Sequence, residues 1–308
     1  MLDQRTRQLL FALQQKGRIP ELDGLINSGK EASVYRAGDY AVKIFATSAM
    51  VFKDRQLYIA DDRRFAQMSS RSSNSRQLVR LWCEKEFRNL RRVFCARLVR
   101  TPEPHFSTGT VLVMQRVAGA VRLSEIGRFL SPARLRKLYF GALRVMRDLY
   151  VHSNLVHGDL SEYNILYQTR TRRAFVIDVG QALDVENESA LLLLRADIRN
   201  VNCFFARLGV ETAANVRALE FVTARLDPPA PPAALPPPVL DCYCADERFP
   251  VPPLLVHHLR LLRADAAPRA PEEILEDDRF LRARIFCGPK QSEGGAAAQG
   301  LQQLGTHA

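Results

Sequence analysis

The chain has 308 residues, 47% hydrophobic and 25% charged, enough for a full core in one two-lobed domain or in two smaller ones. Its longest apolar runs, such as ALLLL at 190–194, fall far short of the roughly 18 to 20 residues of a membrane span, so neither a membrane helix nor a membrane partner is expected. A net charge of +11, spread over RNLRRV (88–93), ARLRKL (133–138) and TRTRR (169–173), favours a polyanionic partner such as RNA or a ribonucleoprotein.

In chain order, residues 2–16 place Leu2, Leu9, Leu10, Ala12 and Leu13 at helical spacing, with Gly17 as the stop. This stretch interleaves charge with apolar residues and has no secretory pattern, which points to the cytosol or nucleus. GLINSGKEASVYRAGDYAVKIF (24–45) predicts three antiparallel strands, with Gly38 and Asp39 in a hairpin turn. SSRSSNSR (69–76) reads as a flexible loop, and residues 77–94 as a helix with Leu78, Trp82, Leu90, Val93 and Phe94 on its apolar face. VLVMQRV (111–117) is a short buried strand, and helices fill most of 121–154. ILYQ (165–168) and AFVID (174–178) flank the basic turn TRTRR as a second hairpin, and helices return from about Ser189 to Leu226.

Ten of the seventeen prolines then fall between Pro228 and Pro253, a density that excludes helix and sheet interiors. The folded domain is therefore expected to span 1–226, with an N-lobe of about 1–117 and a C-lobe of about 118–226. A proline-rich linker (227–253) and a tail (254–308) follow; in the tail EEILEDDRFLRARIF (272–286) is expected to dock as one helix and the remainder to be disordered. The six cysteines are scattered without CxxC spacing, so neither a zinc site nor a disulfide framework is expected.

The chemistry-bearing residues lie both within these elements and in the segments between them. His157-Gly158-Asp159, followed by Asn164, has the spacing H-x-D-x-x-x-x-N, in which the Asp accepts a hydroxyl proton and the Asn carbonyl oxygen holds Mg²⁺. Asp178 follows the apolar Phe175, Val176 and Ile177; a carboxylate ending a buried strand needs a charged partner, and Mg²⁺ supplies one. Lys43, inside the apolar strand AVKIF, must likewise meet an anion. Glu86 lies one turn from both Trp82 and Leu90 on the apolar helix face and is the expected partner, with Glu84 as the solvent-facing alternative. NSGKEASVY (27–35) has one glycine where a kinase phosphate loop has three; Ser28 and Lys30 would supply contacts, and Gly29 a tight turn.

The segments LDQRTRQLLF, INSGKEASVYRA, AVKIFATSAMVFKDR, WCEKEFRNL, VLVMQRV, LVHGDLSEYNILY, IDVGQALDVE and NVNCFFARLGV together resemble the RIO atypical serine/threonine protein kinases, subfamily-one branch. With the short stretch before INSGKEA, the winged helix of the subfamily-two branch is not expected. The resemblance implies an α+β, two-lobed protein-kinase-like fold with a β-rich N-lobe and a reduced helical C-lobe lacking the conventional activation segment. It further implies ATP as substrate, Mg²⁺ or Mn²⁺ as cofactor, and a cytoplasmic protein, shuttling through the nucleus, that acts with the pre-40S particle, its rRNA and its assembly proteins in late maturation of the small ribosomal subunit. By position, Lys43 and Glu86 form the ion pair, Asp159 is the base, and Asn164 and Asp178 hold the metal, Asp178 being also a phosphate acceptor. Ser28, Gly29, Lys30 and Glu31 lie over the phosphates, Val34 lines the nucleotide site, Met114 is the gatekeeper, and the backbones of Gln115 and Val117 meet adenine. Gly158 and Gly180 depart from a more usual alanine and serine, as small-for-small changes. A monomer is expected. The rival readings are a nucleotide-gated, non-catalytic assembly factor and a small-molecule phosphotransferase of the aminoglycoside or choline kinase type.

Overall fold

The computed structural model describes residues 2–47, 75–224 and 266–275. The proline-rich linker and residues 276–286 of the tail helix expected at 272–286 lie outside them, as does most of the loop expected at 69–76.

Helix α1 (Gln4–Gln15) opens the chain, capped by Asp3, whose side chain accepts the Thr6 N–H at 3.0 Å. Burial opposes ionisation of the Asp3 carboxyl, but bonds from Thr6, Arg76 and Thr47 outweigh it and hold the group well below the usual carboxylate range. One capping residue thus ties α1 to Thr47 and to Arg76.

Five strands follow: β1 (Gly24–Ser28), β2 (Ala32–Ala37), β3 (Tyr40–Phe45), β4 (Pro104–Thr108) and β5 (Val111–Gln115). They form one antiparallel sheet in the order β1-β2-β3-β5-β4. The sequence did not announce β4, because its run PHFST carries a proline and only one large apolar residue. Side chains alternate across β3: Val42 and Ile44 pack with Leu10 and Leu13 of α1, whereas Ala41 and Phe45 pack on the other face with helix α2 (Ser75–Ala96). That alternation puts Lys43 on the α2 side, in a strand buried from Ala41 to Phe45. The helix extends two residues further at each end than the expected 77–94, so Ser75 and Arg76 belong to it rather than to the loop.

The C-lobe begins with β6 (Ala120–Arg122), a strand inside a stretch expected to be helical. It continues through the short helix α3 (Leu123–Ile126), a 3₁₀ turn at Gly127–Phe129, and α4 (Pro132–His152), which starts with a Ser131 cap and a proline in its first turn. β8 (Ile165–Gln168) and β9 (Arg173–Val176) form the second hairpin, and β6 adds to its outer side. β7 (Leu155–Val156) pairs with β10 (Leu183–Asp184). Helices α5 (Ala190–Arg207) and α6 (Asn215–Thr223) close the lobe around Leu143, Leu149, Leu194, Ile198 and Phe205. Each such leucine taken fully out of water contributes about 1.5–3 kcal/mol to folding.

The chain returns to this lobe after the linker. Ala267 bridges Thr212, Arg269 bonds the Thr212 carbonyl, and the short helix α7 (Pro271–Leu275) buries Ile274, whose carbonyl accepts from Asn215 Nδ2 at 3.2 Å. Among the described residues no helix is long and apolar enough to cross a membrane.

Candidate functional site

The cleft between the lobes is built from both sides. From the N-lobe, Lys43 Nζ bonds both Glu86 oxygens, at 2.8 and 2.9 Å, and reaches Asp178 Oδ1 at 2.9 Å. Glu86 is 2% exposed. Burial alone would lower the Lys43 pKa, but the carboxylates of Asp178 and Glu86 outweigh it and hold the ammonium above the ordinary lysine range. Glu84 takes the other side of α2, where it accepts from Arg88 Nε at 2.8 Å and Ser107 Oγ at 3.1 Å.

From the C-lobe, the loop between β7 and β8 carries Asp159 and Asn164. Asn164 Nδ2 donates to the Asp159 carbonyl at 2.7 Å and to Asp159 Oδ2 at 2.9 Å, which leaves the amide oxygen Oδ1 as its acceptor for a cation. Asp178 is not at the end of a strand, as the run AFVID suggested: β9 stops at Val176, and Asp178 adopts a left-handed φ of +61°. The cause lies at Ile177. Its N–H donates to the Asn164 carbonyl at 3.0 Å, and its carbonyl takes His157 Nε2 at 3.1 Å, so the chain is anchored one residue before it turns.

His157, 2% exposed, is the hub of this loop and was singled out by sequence only as part of a spacing. Burial pushes its pKa down, against the pull of the Ile177 carbonyl and Asp178. The neutral ring then has one consistent tautomer: Nε2–H donates to Ile177, and Nδ1 accepts the Asp159 N–H at 3.3 Å. Asp197 of α5 was missed. It is 1% exposed and accepts the N–H groups of Gly158, at 2.9 Å, and Leu160, at 2.7 Å, on either side of Asp159. Burial pushes its carboxyl up to about 8; the two N–H bonds pull the other way and the Asp159 charge adds to the rise. An acidic residue beside Leu194 and Ile198, on the face of a helix that joins the core, was the available signal.

The two glycine departures are not equivalent small-for-small changes. Gly158 has φ +79°, and a Cβ there would lie 3.1 Å from Leu193 and 3.2 Å from the Gln181 carbonyl. Gly180 has no such φ, but its Cβ would lie 3.1 Å from both Trp82 Nε1 and Glu86 Oε2.

The turn Ser28-Gly29-Lys30-Glu31 is exposed at the mouth, closed by the Gly29 N–H on the Ala32 carbonyl at 2.9 Å. Gly29 does not use a left-handed φ, so the turn does not depend on glycine's freedom as expected; the residue leaves the backbone bare. Val34, Met114 and Ala41, the last not expected, pack together on the inner face of the sheet. Gln115 donates its N–H to the Glu103 carbonyl at 2.8 Å, so of its backbone only the carbonyl remains for a ligand. Val117 accepts the Ala120 N–H at 3.3 Å and keeps its own N–H. Leu166, half-buried between Ile165 and Tyr167, lies on the opposite face of β8 from Ile165, which joins the core.

Among the described residues no three His, Cys, Asp or Glu side chains gather as a metal cluster. One carboxylate and one amide oxygen, Asp178 and Asn164, form a hard-oxygen pair of the kind Mg²⁺ takes when phosphate oxygens and water complete its shell. The residues fit that ion.

Residues 27–219 match the family model described as RIO1, RIO domain. The serine/threonine-protein kinase RIO1 of Chaetomium thermophilum is 38% identical over 244 residues, 72% of this chain and 46% of that protein. Human RIO1 is 39% identical over 232 residues, 72% of this chain and 40% of that protein. The probable RIO1 homolog of Encephalitozoon cuniculi is 35% identical over 258 residues, 74% of this chain and 65% of that protein. The chain spans about half the length of the curated relatives it matches. Among solved structures, the Rio2 kinase-ADP/Mg²⁺-phosphoaspartate complex from C. thermophilum superposes with a TM-score of 0.50 at 19% identity, covering 89% of this chain and 75% of that one, which shows the two-lobed kinase-like fold.

Proposed function

The chain belongs to the RIO family, on its RIO1 branch, and from that premise we propose that it is an ATP- and Mg²⁺-dependent serine/threonine phosphotransferase with ATPase activity that acts in late maturation of the small (40S) ribosomal subunit. The observation that carries the reading is the meeting at one cleft of the Lys43–Glu86 pair, the Asp178 carboxylate and the Asp159–Asn164 pair, joined through Ile177.

Adenine presents an amino donor beside a ring acceptor, which complements the Gln115 carbonyl and the Val117 N–H, between Ala41, Val34 and Met114 above and Leu166 below. Lys43, kept charged and oriented by Glu86, faces the phosphates, with Ser28, Gly29, Lys30 and Glu31 over them. Asn164 and Asp178 hold the divalent cation, Mg²⁺ or Mn²⁺, which when bound neutralises phosphate charge. Asp159 accepts the proton of the attacking hydroxyl or water, its carboxylate aimed by Asn164 and its backbone fixed by Asp197 and His157. Asp178 is itself a candidate acceptor: its side chain is 43% exposed at the cleft, and a phosphoaspartate is named in the Rio2 complex.

The partners we propose rest on the family resemblance, with charge in support. We take the pre-40S particle, its rRNA and its assembly proteins as the setting, a monomer as the acting form, and the cytoplasm, with passage through the nucleus, as the location; the net charge of +11 supports a phosphate-rich partner.

The test is Asp159→Asn, assayed for ATP hydrolysis with and without pre-40S particles. Binding of Mg·ATP should persist while turnover falls by about 10²–10⁴-fold. Unchanged turnover would leave a nucleotide-gated, non-catalytic assembly factor as the better reading.

A further inference from the structure

Helix α2 carries three polar residues at i, i+3 and i+6, Glu86, Asn89 and Arg92, and all three turn toward the segment 178–184. Glu86 reaches it through Lys43, which also bonds Asp178. Arg92 Nη1 bonds Asp184 Oδ1 at 2.7 Å, at the segment's far end. Between them Asn89, 0% exposed, donates Nδ2 to two backbone carbonyls, Val179 at 3.0 Å and Ala182 at 3.1 Å. The turn they bound is closed by the Ala182 N–H on Val179 O at 3.2 Å, and its Gly180 lies flat against Trp82 and Glu86.

Asp178 immediately precedes this turn. Its φ of +61° is one that a non-glycine residue holds only where the surroundings enforce it. On one side Ile177 is anchored by Asn164 and His157. On the other, the first residue after Asp178 is Val179, and the side chain that holds its carbonyl is Asn89. A leucine at position 89 would fill the helix face but leave the Ala182 carbonyl without its Asn89 donor and the Val179 carbonyl with only the Ala182 N–H.

We propose that Asn89 is a positioning residue for the divalent cation: by fixing the Val179 and Ala182 carbonyls to α2, it holds Asp178 in the left-handed conformation from which its carboxylate reaches both Lys43 and the ion. This rests on the reading of the cleft as a Mg·nucleotide site. It makes α2 and the metal-binding turn one body, so that a shift of the helix displaces the Glu86 partner of Lys43 and the metal ligand together.

The experiment uses the full chain with a non-hydrolysable ATP analogue, titrated calorimetrically with Mg²⁺ and again in EDTA, with Mn²⁺ binding followed in parallel by its paramagnetic resonance signal. Asn89→Leu should lower metal affinity by about 10–100-fold, the range for residues that orient metal ligands, while analogue affinity in EDTA stays within about twofold of wild type. A merely structural asparagine would lower both in proportion, or neither, and either result overturns the inference. Should Asn89→Leu fail to unfold cooperatively, Arg92→Ala releases the same segment from its far end and should weaken metal binding in the same direction, by less than the about 10-fold lower bound for Asn89→Leu; an unchanged Mn²⁺ titration in that variant overturns the inference as well. A wild-type chain whose analogue binding ignores Mg²⁺ removes the Mg·nucleotide reading itself. A wild-type gain that Asn89→Leu preserves removes this inference alone.

Discussion

Lys43 makes two ion pairs of nearly equal length in unlike surroundings, and their contributions to stability should differ accordingly. Glu86 is 2% exposed at the side chain and lies 2.8 Å away; Asp178 is 43% exposed and lies 2.9 Å away. Lys43→Met keeps the volume of the stem and deletes the ammonium, leaving the Glu86 carboxylate buried without the Lys43 charge. Breaking a buried pair in this way costs about 3–5 kcal/mol. For a folded region of this size that corresponds to a fall of roughly 6–20 °C in Tm, at about 2–4 °C per kcal/mol. Asp178→Asn removes a pair that water already screens and should cost only about 0–1 kcal/mol. Lys43→Met/Glu86→Leu removes both buried charges and should recover much of the loss, because a well-packed apolar pair replaces a buried ion pair at little cost. The assay is urea and thermal unfolding of the nucleotide-free protein, followed by circular dichroism. An Asp178→Asn variant as unstable as Lys43→Met, or a double variant less stable than the single one, would refute the argument that burial decides the difference.

The remaining predictions concern the loop around Asp159. The lowered pKa of His157 means that the unfolded chain takes up a proton as pH falls through about 6.5 while the folded state does not, so this residue makes stability decline on the acid side. His157→Gln can still donate to the Ile177 carbonyl but does not titrate; urea midpoints between about pH 7 and 5 should fall less steeply in the variant, and parallel curves would count against the neutral, buried ring. Gly158→Ala places a Cβ at φ +79°, against Leu193 and the Gln181 carbonyl, and should destabilise the fold by about 1–3 kcal/mol in denaturant titrations, a neutral result arguing against the strain.

Much of this cleft was legible because burying a charge is expensive. Lys43 amid AVKIF demands a counter-charge, and helical periodicity chooses Glu86 over Glu84 as its source. The elements that sequence missed are those whose pattern is weak or whose function is carried by the backbone. β4 and β6 are short edge strands with mixed polarity, so period-two alternation has too few residues to register. Asn89 and Asp197 act on main-chain carbonyl and N–H groups, and no side-chain spacing encodes which carbonyls will face them. The left-handed turn at Asp178 was misread as a strand end for the same reason: Ile177 is held by Asn164 and His157, thirteen and twenty residues earlier in the chain.

Backbone pairing after Asp178 bears on the phosphate acceptor. In the eleven residues between Asp178 and Ala190, several backbone groups that could pair with a peptide already have a partner. Val179 and Ala182 offer their carbonyls to Asn89; Leu183 and Asp184 form β10 against β7; the Val185 N–H goes to the Asn154 carbonyl at 3.2 Å and the Asn187 N–H to Asp184 at 2.9 Å. Ala190 then begins α5, whose Asp197 grips the loop of Asp159. The stretch that a conventional kinase extends into a peptide platform is here drawn taut between α2 and α5 and given over to holding Asp178 and Asp159 in place. An acceptor for which this segment provides no strand must be oriented by some other surface, or must be a group already in the cleft: water, or the Asp178 carboxylate. Within the proposed function, ATP turnover needs no strand from this segment, whereas the phosphorylation of a free peptide does.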